Sequence, residues 1–360
     1  VYGDKDQVLE RYDALANKTE FEYTIHLGRP LLTKLTTPLG RVTEWTRDGM
    51  GRVTSIEAPS GAEWQYAYVD DWSVVETITD PLTNETEYAY DSRLNEIKVT
   101  DPLGRETEIA YDDLNLPKEI TDAMDQVTKL EWNANGDLKK LTDPRNKVYT
   151  MAWESSGRRK ELQWPDAAKQ SVTFDPEGKV ITYQPRGTSA TITNAWNAAG
   201  EITGQGWVNG TFSGTASLTR NAAGQLAGAS TTAMTLTVSG SYTYDSEGRL
   251  ATSSQTVGAL TRTASITYDL QGRISTITYP AGFVVEYVRN ADGQITAIKK
   301  DGTAIATYAY DAFGRLSTRT LASGAVTTYG YDGMDRVNQI VVTSGTATLW
   351  AERYGYNAVG

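Results

Sequence analysis

The sequence predicts an all-β chain, built from tandem β-hairpins laid side by side in one long twisted sheet. Three observations predict it. A motif returns about every 21 residues along nearly the whole chain, residues ahead of each motif alternate with period two, and each motif carries turn chemistry.

The motif is an aromatic residue, Asp or Asn, two variable residues and Gly, then a second apolar stretch. The clearest copies start at Tyr90-Asp91, Tyr111-Asp112, Trp132-Asn133, Trp153-Glu154 and Phe174-Asp175, with a constant step of 21 residues. Weaker copies precede them at Arg47-Asp48 and Val69-Asp70. Later copies start at Trp196-Asn197, Arg220-Asn221, Tyr244-Asp245, Tyr268-Asp269, Arg289-Asn290, Tyr310-Asp311, Tyr331-Asp332 and Tyr356-Asn357. Fifteen starts predict about thirty strands.

Each half of the repeat has its own physics. Thr86, Tyr88 and Tyr90 share one side of a strand, as do Thr107, Ile109 and Tyr111, and Thr128, Leu130 and Trp132. The Asp then caps the first turn amides, and Gly takes the positive φ that closes the hairpin: Asp245 to Gly248, Asp269 to Gly272, Asp311 to Gly314. A return turn follows, typified by Asp101, Pro102 and Gly104, in which Pro fixes φ at the first central position. Leu138 and Leu141 stand three apart in the second strand, so either a bulge separates them or both faces are partly buried.

A lone hairpin cannot bury its apolar side, so stability has to come from stacking each hairpin beside the next. The aromatics Tyr90, Tyr111, Trp132, Trp153, Phe174, Trp196, Tyr244, Tyr268, Tyr310 and Tyr331 are expected to form that ladder, with each cross-strand pair contributing roughly 0.2–1 kcal/mol. Strands twist against their neighbours by roughly 20–25°, so a sheet this long is expected to spiral into a curved wall. The chain divides into a poorly patterned lead-in (1–22), regular repeats (23–184), longer repeats rich in Gly, Ala, Ser and Thr (185–265), and regular repeats again (266–360). The lead-in has room for a short turn of helix between Asp4 and Glu20, and the third region is expected to carry longer loops or small insertions while remaining within the sheet.

Composition narrows the function. A net charge of -11 argues against nucleic acid or an anionic membrane as partner. The absence of cysteine excludes disulfides, thiolate metal sites and a cysteine nucleophile. No apolar run is long enough to span a membrane as a helix. The chain opens on Val1 without a signal-peptide pattern and stops at Gly360 inside a motif, so it reads as a piece of a longer protein.

Candidate chemical sites each have a plainer structural reading. His26 is the only histidine, with no nucleophile motif around any serine, which makes a triad or a metal site a poor fit. The turn carboxylates could bind calcium in tandem, but their recurrence at one position suits turn capping. Glu85 with Glu87, and Glu106 with Glu108, could be a glycosidase acid and base, but each pair lies on the side opposite a tyrosine. The glycines from Gly204 to Gly210 lack the dinucleotide spacing and a following helix, and are read as a flexible turn. Arg52, Arg158, Arg249, Arg273 and Arg315 follow the turn and are placed to stack on aromatics or pair with turn carboxylates, or else to join Tyr and Trp in carbohydrate binding. No catalytic, cofactor or metal residue is assigned.

The frames Tyr-Asp-x-x-Gly-Arg at 268–273 and 310–315, and Thr-Asp-Pro-Leu-Gly-Arg at 100–105, resemble the Rhs, or YD-repeat, family. Thr37 to Arg41 and Tyr331 to Arg336 keep the same frame, and the resemblance covers roughly 23–360. It implies a hollow shell, or cocoon, made from a spiralling strip of hairpins around a C-terminal toxin domain. Such shells occur in polymorphic toxins, type VI secretion effectors and insecticidal toxin complexes; teneurins use a similar shell in adhesion. The resemblance implies an exported bacterial structural protein, with the enclosed toxin and possible delivery or secretion proteins as partners. The rival readings are a glycan- or cell-surface-binding module and, last, a hydrolase. The family's autoprotease segment does not occur before Gly360, and Asp101-Pro102-Leu103-Gly104 is an internal turn that takes no protease role.

Overall fold

The computed structural model describes residues 1–70, 72–233 and 235–358. Among them are thirty-two strands of one antiparallel sheet and no helix. In a regular repeat the strand Glu106–Tyr111 pairs with Pro117–Thr121, which pairs in turn with Val127–Trp132. Six- and five-residue strands, each followed by a five-residue turn, account for the 21-residue period.

Both turns have the same build. Asp112 and Asp122 each accept, through their own carbonyl, the amide three residues on; their amides bond to the carbonyls of Leu116 and Gln126. The fourth turn residue has positive φ in both: Asn115 at 63° and Asp125 at 57°. The two hairpins differ just beyond the turn. Tyr111 faces Pro117 while Ala110 faces Glu119, so one residue bulges out after the motif turn. The same shift puts Trp132 opposite Leu138 and Leu130 opposite Leu141. A bulge therefore separates Leu138 from Leu141, and both side chains serve one face.

Two expectations are corrected. The stretch from Asp4 to Glu20 contains no helical turn: Asp13 heads a hairpin turn identical in bonding to the others, between the strands Glu10–Tyr12 and Lys18–His26. The capping carboxylate offers the backbone amides a better partner than a short, uncapped helix would. In the Gly/Ser/Thr-rich region the added residues lengthen strands, not loops. Phe212–Arg220, Leu236–Tyr244 and Leu260–Tyr268 are nine residues each. Asn209 pairs with Phe212, and Val257 with Leu260, across two-residue turns. The alternation survives there in hydroxyls: Thr215, Ser217 and Thr219 lie opposite Thr232, Ser230 and Gly228.

The chain falls into two compact units, one of Val1–Glu106 with Thr267–Gly360 and one of Thr107–Ile266. Among the described residues neither has a second layer of secondary structure. Among the described residues only Ala62 and Ala306 are buried apolar side chains, and no large side chain is fully buried. The accessible surface is 21443 Å², against about 14,000 Å² for a compact monomer of this mass. Stability therefore comes from backbone ladders and half-buried side chains packed laterally. The carboxylates of Glu85, Glu87, Glu106 and Glu108 stand exposed on the other side.

Candidate functional site

The recurring unit of this molecule is an Asp-headed turn, a long donor side chain and an arginine. In the turn at Asp91, Oδ1 accepts the amides of Arg93 and Asn95 at 2.9 Å each, and Oδ2 accepts the Asn95 side-chain amide. Asp112, Asp245, Asp269, Asp311, Asp332 and the return-turn Asp101 cap the same two amides. The Asn95 amide holds the Asp91 carboxyl below its ordinary value, and the Arg249 backbone amide and guanidinium do so for Asp245. Burial acts against Asp311, but the Arg315 guanidinium and amide outweigh it. Gly104, Gly248, Gly272 and Gly314 hold the positive φ, at 74°, 78°, 77° and 91°, and Pro102, half-buried, occupies the turn ahead of Gly104.

The residue before the turn reaches back across the sheet. Tyr90 Oη donates to the Val75 carbonyl at 2.7 Å, Trp132 Nε1 to Pro117 at 2.6 Å and Trp153 Nε1 to Leu138 at 2.8 Å. Tyr310 and Tyr331 donate to Ile295 and Leu316 at 2.8 Å. Each of these bonds spans fifteen residues. In the longer repeats Trp196 reaches Val180 and Tyr244 reaches Leu226. Burial pushes the phenols of Tyr90, Tyr310 and Tyr331 above their ordinary value and keeps them protonated as donors. Tyr111 and Tyr268 occupy the same position at the ends of their strands, half-buried.

Arginine stands at the same place in three repeats; Arg220 turns to the Gly224 carbonyl of its own turn, and the other two reach back. Arg47 Nη2 donates to the Leu32 carbonyl at 3.0 Å, and Arg289 Nη1 to Ile274 at 2.7 Å. The position thus selects a long side chain with a terminal donor. The copy placed at Val69-Asp70 is corrected by one residue: Tyr68 donates to Val53 at 2.7 Å, and Val69 heads the turn, closing on Val74. The alternation Tyr66, Tyr68 was the available signal. Phe174 has no donor and is covered by Arg158, centred 4.9 Å from its ring.

The arginine after the turn does two things at once. Arg315 Nε donates to Asp311 at 2.7 Å while its guanidinium lies 4.6 Å from the ring of Tyr331. Arg52 joins Asp48 and Tyr68 in the same way, and Arg336 joins Asp332 and Tyr356. Arg249 and Arg273 pair with Asp245 and Asp269. Stacking over a ring and a hydrogen bond in the plane use different parts of one planar cation, so they do not compete.

Within the unit of Val1–Glu106 and Thr267–Gly360, two rows of turns meet. Gln271 Nε2 donates to Asp13. Asp292 Oδ2 accepts Arg41 Nη1 at 2.6 Å and Thr37 Oγ1 at 3.3 Å, and its Oδ1 accepts the Leu39 amide at 3.1 Å. Ser60 Oγ donates to Asp335 at 2.7 Å. Turns near the start of the chain thus dock on turns near its end. This seam had no sequence signal, because its partners lie some 250 residues apart.

The remaining candidates lie apart from one another. His26 ends the strand Lys18–His26, opposite Arg29. Gly204 and Gly206 lie inside the strand Ile202–Asn209, which corrects their reading as a flexible turn; only Gly210 turns. Glu106 pairs with Lys98 at 2.8 Å. Among the described residues no three acidic or histidine side chains converge as a metal site, and no helix is long and apolar enough to cross a membrane.

Residues 26–63, 289–325 and 310–347 match the RHS Repeat family. No curated protein matches the sequence. Among solved structures, that of TcdB2-TccC3-Cdc42 superposes on 95% of this chain with a TM-score of 0.77 and 15% identity. The Photorhabdus luminescens Tc holotoxin pore (TccC3-D651A) does so over 95% at 0.65 and 15%, and TcdB2-TccC3 without its hypervariable C-terminal region over 95% at 0.64 and 15%. This chain spans only about one fifth of those chains (21%, 22% and 22%), and at such identity the likeness is one of fold. Matched RHS repeats lie toward both ends, the same turn and ladder recur between them, and the fold is the one seen in TcdB2-TccC3, so the chain is built of Rhs/YD-type repeats.

Proposed function

We propose that the chain is a length of wall in a larger Rhs-type shell that encloses a toxin domain for export and delivery by a bacterium. The observation that carries this reading is the single-layer sheet whose turn edges dock on each other through Asp13, Asp292 and Asp335. A strip without a core has no use for such a seam unless the strip is to become a surface without gaps. The fold shared with TcdB2-TccC3 supports it, since one of those structures is described as lacking its hypervariable C-terminal region. The chemistry asked of the chain is confinement: the backbone ladder excludes protease and solvent-borne partners from whatever lies behind it, and no side chain acts on a substrate.

Protease treatment of the natural full-length product tests this. The segment following the array is expected to survive while the shell is intact and to be digested once denaturant opens it. Digestion of that segment at the same rate in both states would overturn the proposal. Capture on glycans, abolished by replacing the exposed Trp64 or Trp350, would favour an adhesion module instead.

A further inference from the structure

The seam poses a problem that repetition creates. Both rows of turns advance by nearly the same step, so one row could dock on the other one repeat out of step, a displacement of two strand spacings or about 10 Å. One joint distinguishes the two registers.

In the turns near the end of the chain, Arg273, Arg315 and Arg336 follow the turn, and Gln294 alone breaks the series. Arg273 lies against Gly293 of the next turn, and Arg315 reaches Asp335 of the next turn. Each arginine therefore fills the place over the turn that follows it. Gln294 is shorter and donates to the Gly314 carbonyl at 2.7 Å, leaving the place over Gly314 without an arginine of its own row. Arg41 of the opposite row fills it: its Nη1 lies 2.6 Å from where a Cβ on Gly314 would stand, and 3.0 Å from Gln294 Oε1. The same guanidinium pairs with Asp292, and the two side chains are only 12% and 9% exposed.

We propose that Arg41 and Asp292 set the register of the seam, Arg41 being the arginine that the Gln294 repeat lacks. A slip of one repeat either way would carry Arg41 to a place held by Arg273 or by Arg315, cation against cation. It would also face Asp292, now unpaired, with the turn of Asn17 or of Ala62, neither of which offers an arginine. An enclosed carboxylate without its partner is strongly disfavoured, so the in-register seam is selected.

The chain has no cysteine, so introduced thiols report register directly. Leu82→Cys with Gly333→Cys reads the native register, since a Cβ on Gly333 would lie 3.0 Å from Leu82 Cδ2. Leu82→Cys with Ala312→Cys reads a slip of one repeat. A thiol linker too short to span one repeat should join the first pair in the full chain and not the second. Arg41→Asp or Asp292→Arg alone should lower the native yield several-fold, and the exchanged double variant should restore it. Should a reversal prevent folding, Arg41→Gln and Asp292→Asn provide the same comparison. Native yields unchanged in the single variants, or an exchange that restores nothing, would overturn the proposal. The readout is independent of any cargo, so it can fail while the enclosing function stands.

Discussion

The indole nitrogen of Trp132 donates to the carbonyl of Pro117 across the sheet at 2.6 Å, joining the start of one second strand to the end of the next first strand. The bond adds to the backbone ladder and ties together the two strands joined by the return turn at Asp122. Trp132 is half-buried, with Leu130 and Leu141 facing each other on the same side. Trp132→Ala is therefore expected to cost about 2–3 kcal/mol, short of the ~3–5 for a fully buried ring. Trp132→Phe, which loses chiefly the hydrogen bond, should cost about 1 kcal/mol. Denaturant midpoints measure both, and two variants indistinguishable from the parent would remove the ladder's role.

Phe174 offers the converse. It stands where Tyr90 and Tyr331 stand but has no donor, and the residue fifteen back is Arg159. Phe174→Tyr is expected to raise stability by about 0.5–1 kcal/mol by adding the missing bond, without disturbing the Arg158 guanidinium over the ring. A lowered midpoint would mean that the phenol cannot reach the carbonyl.

Acid should loosen the turns. Asp245 is held below the ordinary 3.8 by the Arg249 amide and guanidinium, and Asp91 by the Asn95 side chain and backbone amides. A carboxyl with a lowered folded-state value contributes stability that is complete above about pH 4 and is lost as pH falls through that lowered value. The denaturation midpoint should accordingly hold from pH 7 to about 4 and fall below it. Asn133 already heads a turn and caps the amides of Asn135 and Asp137 through Oδ1. Asp245→Asn should thus keep the turn at pH 7 and flatten the acid limb. An acid limb as steep as the parent's would show that this carboxylate does not contribute.

The repeat frame was legible because its signals are local: alternation in a strand, and Asp and positive-φ residues in a turn, act within six residues. What lay outside local reach was missed. Arg47 reads as a weaker copy when aromaticity is the criterion, whereas the fold requires a donor on a long stem, which Arg47 and Arg289 both supply. Tyr68 was displaced by one residue because the loop from Val69 to Val74 is longer than its neighbours. The lengthening of the strands between Ile202 and Tyr268 was not legible because hydroxyls carry much of their alternation, and hydroxyls weigh little in an apolar count. The pairing of turns across the seam is set by contacts some 250 residues apart, which no local pattern carries.

Turn positions show that the glycine of the motif answers a backbone demand that other residues also meet at a cost. Thr83 and Gly104 occupy the same place in successive return turns, with φ of 67° and 74°. For a β-branched residue that conformation is strained. Thr83 is exposed, so its side chain contributes little packing to offset the strain. Thr83→Gly is expected to stabilise the chain by about 0.5–1 kcal/mol, the relief of strain being reduced by the greater freedom of glycine in the unfolded state. The reverse change, Gly104→Thr, should cost about 1–2 kcal/mol; a Cβ there would meet nothing within 4 Å, so the loss reports the backbone alone. Paired denaturation curves decide it: opposite shifts follow if positive φ governs the site, and two shifts of the same sign would show that side-chain contacts govern it instead.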